Sequence, residues 1–195
     1  MFGTMSKKQL KALLMSKDEV IDQLEKVFRQ YGYEGATLAR LSEATGLGKA
    51  SLYHYFPKGK EEMAATVLNH RQWFEEHILA PLRGDGIPSD RIRTMLKNVY
   101  ELYNGGQKSC LLAVLLLGES KELFQTQIKF SLNIWIDTLA EVLVDGGLAA
   151  ELARQRAEDA ILQIQGALVL SRGLGDTASF ERVIKCLPEF LLPII

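Results

Sequence analysis

The sequence predicts an all-α protein of about nine helices. Apolar residues recur at helical spacing along almost the whole chain, and glycines punctuate that pattern at helix-length intervals. Strand-like alternation, internal repeats and low-complexity tracts do not occur. With 47 % hydrophobic and 24 % charged residues the composition is that of an ordinary globular protein, which excludes a disordered or fibrous chain.

The elements follow in order. Ser16-x-x-Glu19 is a capping box, in which hydroxyl and carboxylate each satisfy an orphan backbone N–H. Behind it Val20, Ile21, Leu24, Val27, Phe28 and Tyr31 form one face of a helix that Gly32 and Gly35 stop. Thr37 offers an N-cap to a short helix that turns Leu38 and Leu41 inward and ends at Gly46. A second short helix runs from Lys49 to Tyr55 and is halted by Pro57. One long helix is then expected from Lys60 to Leu82, and a linker follows over Arg83–Pro88. Ser89 or Asp90 should cap a helix carrying Ile92, Met95, Leu96, Val99, Leu102 and Tyr103, closed by Gly105-Gly106. Cys110–Leu117 is apolar all round and reads as a buried central helix. Three more helices are expected, over Lys121–Val144, Ala150–Arg172 and Thr177–Leu192.

Charge divides the chain more sharply than its net value of −1 suggests. Residues 1–60 hold ten Lys/Arg against six Asp/Glu, and the remainder thirteen against eighteen. A basic head on an acidic body is what a DNA reader needs, because phosphate neutralisation supplies most non-specific affinity. Met1–Thr4 reads as a start-site remnant, and Lys7, Lys8 and Lys11 precede too short an apolar run for a secretory leader. Cys110–Leu117, the longest apolar run, is far below the roughly 18 residues of a membrane span. Cys110 and Cys186 are expected as two buried free thiols, without a disulfide framework or metal site. A reducing, cytoplasmic setting, no membrane partner and no cofactor follow.

Two short helices joined by a tight glycine-containing turn form the pattern of a DNA-binding helix-turn-helix. Leu38, Leu41, Ala44, Leu47, Leu52 and Phe56 can share a small core, and Gly46 allows a left-handed backbone at the turn. Lys49, Ala50, Ser51, Tyr53 and His54 are left to project outward: two small residues for close approach to the groove, three with donors or charge. The alternative for the pattern alone is a helical hairpin that binds protein.

The run Gly46-Leu47-Gly48-Lys49-Ala50-Ser51-Leu52-Tyr53-His54-Tyr55-Phe56-Pro57, followed by Lys60, resembles the TetR family of transcriptional regulators over residues 16–70. The resemblance implies a three-helix DNA head over residues 1–60 and a helical ligand-binding and dimerisation domain over residues 61–195. It implies a homodimer bound to double-stranded operator DNA and released by an unidentified small-molecule effector. Carried over by position, Thr37 caps the second helix and touches a phosphate, and Lys49, Ala50 and Ser51 read base edges. Tyr53 and Tyr55 lie against the DNA backbone with His54 between them, and Lys60 contacts a phosphate. Two departures stand out. Pro57-Lys58-Gly59-Lys60 is one residue longer than the commonest spacing, and Gly48 replaces a frequent serine, so any phosphate contact there falls to its backbone N–H.

Beyond the head the resemblance is one of outline. Trp73, Phe74, His77, Tyr100, Tyr103, Cys110, Phe130, Ile134 and Trp135 either line an apolar ligand cavity with polar tips or pack as plain core. His77, without a second histidine or carboxylate at ligand spacing, is no metal site. Ile161, Ile164, Gly166, Ala167, Leu168 and Ser171 on one helix and Phe180, Ile184, Leu187 and Leu191 on the last are expected at an isologous dimer interface, or else in the chain's own core. An enzyme is not expected. Glu43 stands where a phosphate-binding loop needs its first glycine, and three histidines offer little for a triad. A ligand-independent or activating DNA-binding regulator remains the alternative to a repressor.

Overall fold

A computed structural model describes residues 15–70 and 72–192; Met1–Thr4, Lys7, Lys8 and Lys11 lie outside them. Nine helices are found among the described residues, numbered α1 Lys17–Gly35, α2 Leu38–Thr45, α3 Lys49–Tyr55, α4 Lys60–Asn69, α5 Pro88–Leu102, α6 Leu111–Leu115, α7 Lys121–Asp145, α8 Ala150–Leu174 and α9 Ala178–Leu191. Short helical pieces at Gln72–Phe74, Glu75–Leu79 and Ala80–Arg83 lie between α4 and α5. The chain divides into two compact units. One holds the residues up to His70 together with Leu111–Gln127; the other holds Arg71–Cys110 and the stretch from Ile128 onward.

In the first unit the predicted capping box is present. Ser16 Oγ accepts from the Glu19 N–H at 3.2 Å, and Glu19 Oε2 accepts from the Ser16 N–H at 2.7 Å. Val20, Ile21, Leu24, Val27 and Phe28 are buried as their spacing requires, but Tyr31 is exposed and lies under the Arg40 guanidinium. Helix α1 kinks at Gly32 (φ 68°) before its last turn and packs against α2, α4 and α6.

The apolar run 110–117 departs from expectation. Only Leu111–Leu115 is helical, its Leu111 and Leu115 are buried, and Leu117 is 67 % exposed. Gly118 (φ 72°) breaks the run, and the single Ser120 hydroxyl donor is shared between the Leu117 carbonyl oxygen at 3.0 Å and that of Leu115 at 3.3 Å. The segment belongs to the first unit instead of forming a central helix of the body.

The expected long helix over 60–82 is also interrupted. Helix α4 ends at Asn69, His70 leaves helical geometry (φ −77°, ψ 70°), and Glu75–Leu79 is π-helical. Pro81 supplies the physical reason for the irregular stretch. It has no N–H for the carbonyl of His77, and Asn98 Nδ2 donates to that oxygen instead, at 2.6 Å. Helix α5 starts two or three residues earlier than a Ser89 or Asp90 cap would place it. Ile87 is its N-cap and Pro88 occupies N1, where a missing N–H costs nothing. In the second unit α8 and α9 pack along their length, and α9 also meets α5. Of the two thiols, Cys110 is buried as expected; Cys186 is exposed, because α9 turns Leu187 rather than its neighbour into the core.

The turn between α2 and α3 owes its shape to a residue outside the expected core. Ala44 is exposed and Thr45 is buried. Thr45 Oγ1 donates to the Leu41 carbonyl at 2.8 Å and accepts from the Leu47 N–H at 3.3 Å, while Ser42 Oγ donates to the Leu47 carbonyl at 2.5 Å. Both polar backbone groups of Leu47 are thereby satisfied inside the head. Thr45→Val, nearly isosteric, strands the Leu47 N–H and is expected to cost about 1–2 kcal/mol in chemical denaturation; a wild-type midpoint would show that the hydroxyl does not hold the turn.

Candidate nucleic-acid interface

Helix α2 begins at Thr37, whose Oγ1 accepts from the Arg40 N–H at 3.3 Å, and ends at Gly46 in the left-handed region (φ 70°). Gly48 is the extended N-cap of α3 (φ −67°, ψ 159°), a conformation open to any residue, and nothing stands within 4 Å of where its Cβ would be. Leu41, Leu47, Leu52 and Phe56 are buried and Leu38 half-buried, which anchors α3 through one face. The opposite face carries Lys49, Ala50, Ser51, Tyr53, His54 and Tyr55, every one exposed; Tyr53 stands at 45 % and Tyr55 at 37 %. A seven-residue helix with one buried residue and six outward side chains, two tyrosines, a histidine, a lysine and two small residues, has the size and chemistry of a groove reader.

The longer connection after α3 has a defined role. Gly59 takes a left-handed conformation (φ 71°), and the Tyr53 ring lies across it so closely that a Cβ there would sit 3.2 Å from Cε1. The Lys58 N–H donates to Glu62 Oε2 at 2.7 Å, fastening the start of α4. The insertion leaves the Lys58 side chain exposed beside the reading face, a cation not among the expected contacts. Lys60 is placed differently. Its ammonium donates to the Tyr33 carbonyl at 2.9 Å.

Two family models match the chain. Residues 20–67 match the bacterial regulatory proteins of the tetR family, and residues 88–186 match the C-terminal domain of LmrA/YxaF-like transcriptional regulators. The chain belongs to the TetR family.

It is therefore a DNA-binding transcriptional regulator and not an enzyme. The curated regulator LmrA of Bacillus subtilis is 22 % identical over 181 residues, which cover 90 % of this chain and 96 % of LmrA. A TetR transcriptional regulator from Legionella pneumophila shares the fold with a TM-score of 0.78 at 22 % identity, over 90 % of this chain and 97 % of its own. A cysteine mutant of the TetR family regulator CifR, complexed with 26bp double-strand operator DNA, shares it with a TM-score of 0.71 at 23 % identity, over 91 % and 96 %. FadR from Bacillus subtilis, in complex with stearoyl-CoA, does so at 0.66 and 19 % identity, over 92 % and 100 %.

In the second unit of this TetR regulator the expected cavity residues fall into separate groups. The Trp73 ring stacks on His77 with centroids 4.4 Å apart, and His77 Nδ1 lies 3.0 Å from the Trp73 carbonyl oxygen. Phe74 meets Trp135 edge-on at 5.4 Å. Tyr100 and Tyr103 both pack on Phe180, at 6.2 and 6.0 Å. Cys110 is buried, Ile134 half-buried and Phe130 exposed. Trp135 Nε1 is buried with no hydrogen-bond partner among the described residues.

The expected interface residues require a correction. Ile161, Ile164, Ala167, Leu168, Ser171, Phe180, Leu187 and Leu191 are buried within the single chain and Ile184 is half-buried, because α8 and α9 pack on each other and on their own unit. Gly166 alone of the expected set is exposed. It belongs to a second stripe on α8 with Leu162, Val169, Leu170, Gly173 and Leu174, and Leu162 and Val169 are each 67 % exposed. That stripe has helical spacing in the sequence too. Helix α8 is apolar on two faces, and periodicity cannot say which turns inward.

Proposed function

We propose that this TetR regulator is a repressor that grips operator DNA as a homodimer and lets go when a small molecule binds its larger domain. The observation that carries the reading is the fully outward face of α3, Lys49, Ala50, Ser51, Tyr53, His54 and Tyr55, over the buried Leu52 and Phe56. Thr37, Gly48 and the exposed Lys58 flank it and supply phosphate contacts. Functionally, residues 1–60 read DNA and residues 61–195 bind effector and partner.

Dimerisation is supported by the exposed apolar stripe of α8; α9 also leaves Phe190 and Cys186 exposed. An exposed apolar stripe along a helix needs a cover, and an identical copy supplies one by two-fold symmetry. Such a dimer would present two α3 helices to half-sites one or more helical turns apart. The unpaired Trp135 Nε1 supports an effector carrying an acceptor oxygen, with Phe74 against the same ring. The operator-bound CifR and the stearoyl-CoA-bound FadR support both ends of the reading. Work on DNA places the protein in the cytoplasm, and no described helix is long and apolar enough to cross a membrane.

Linkage tests this directly. A compound that raises the melting temperature in a thermal-shift screen is expected to weaken operator binding by the ratio of its affinities for free and DNA-bound protein. Binding isotherms on operator duplex, with and without saturating compound, measure it. Superimposable isotherms for every stabilising compound would refute effector control and leave DNA reading intact.

A further inference from the structure

Lys60 opens α4 after a four-residue connection from α3, and its charge points into the head. Nζ donates to the Tyr33 carbonyl at 2.9 Å and stands 4.1 Å from the centroid of the Tyr33 ring, a combined backbone and cation–π attachment. Tyr33 and its neighbour Glu34 make further contacts within the same unit. Phe124 meets its ring edge-on at 5.3 Å, Phe28 stacks on it at 6.3 Å, and the carboxylate of Glu34 accepts from the Ser120 N–H at 3.2 Å. Burial, then Glu61, then Glu34 push the Tyr33 phenol above its ordinary value, so both carboxylates lie within electrostatic reach of the ring that Lys60 covers. Nζ is thus already engaged by a carbonyl and a ring at the junction of α1 and α4. Lys49 and Lys58 are exposed, whereas Lys60 is half-buried.

We propose that Lys60 serves DNA binding as a positioning residue, tying the first turn of α4 to the last turn of α1 and so setting the attitude of α3, and that it neutralises no phosphate. The connection Phe56-Pro57-Lys58-Gly59 is too short to absorb a shift of α4, and the Tyr53 ring lies directly across Gly59, so a loosened α4 start displaces the reading face. The inference rests on α3 being the DNA-reading helix.

The test uses the full chain, a duplex selected by the wild type from a random library, and fluorescence anisotropy at several KCl concentrations. Lys60→Met keeps the stem and removes the charge. Its affinity is expected to fall about three- to tenfold, the size of a lost cation–π attachment, while the slope of log K against log salt stays at the wild-type value. Lys60→Arg, which can keep both attachments, is expected to restore affinity. A slope reduced by about one for Lys60→Met is the mark of a lost phosphate contact and overturns the proposal. Unchanged affinity for Lys60→Met, or failure of Lys60→Arg to restore it, overturns it too. If Lys60→Met melts below the assay temperature, Tyr33→Leu decides. Releasing a phosphate-binding lysine would hold or raise affinity, whereas releasing a fastener lowers it at constant slope. A wild-type chain that selects no sequence at low salt would instead defeat the DNA-reading assignment.

Discussion

Phe56→Ala is expected to unfold the DNA-reading head far enough that operator binding disappears. Phe56 is 1 % exposed and sits at the C-cap of α3, its N–H donating to the Leu52 carbonyl at 2.8 Å. With Leu52 it plugs the underside of the reading helix, and removing the ring leaves a cavity that a seven-residue helix cannot close by shifting. The expected cost is about 3–5 kcal/mol, most of the stability that a small unit has to lose. The neighbouring Tyr55→Ala makes the informative control. Tyr55 is exposed, so its loss should change stability by no more than about 0.5 kcal/mol while weakening DNA binding. Chemical denaturation and anisotropy on the same two proteins separate support from reading. Equal midpoints for the two variants would mean that the division of α3 into an anchored and a reading face is mistaken.

A charge placed on the outer face of α8 should have the second large effect. Val169 lies in the middle of the exposed apolar stripe, flanked along the helix by Gly166, Leu162 and Gly173. Val169→Asp would bury an unpaired carboxylate at the proposed two-fold interface, which association cannot tolerate. The variant is expected to sediment as a monomer with its fold intact, since the side chain makes little contribution to the chain's own core. Losing the second head removes the effective-concentration gain of about 10²–10⁴, so operator affinity should fall by roughly a hundredfold or more. Analytical ultracentrifugation and operator titration measure the two quantities. A variant that remains dimeric would show that another surface joins the subunits.

Local physics made most of this regulator readable before any tertiary information. Ser16 and Glu19, Thr37, Gly46 and Pro57 each act on backbone within four residues, so their consequences, two caps, a left-handed turn and a helix stop, follow from the residues themselves. The reading face was legible for the same reason. Once Leu52 and Phe56 point inward, helical geometry leaves the remaining side chains of α3 no other direction. Which of two apolar faces on α8 turns inward, where Lys60 spends its charge, and why residues 111–117 join the first unit were decided only by neighbours distant in sequence. Those neighbours are α9, Tyr33 and α1. Periodicity measures how apolar a face is and carries no information about which partner reaches it first. An ammonium group goes to whichever carbonyl and ring the fold brings within 3 to 4 Å, and that choice exists only in three dimensions.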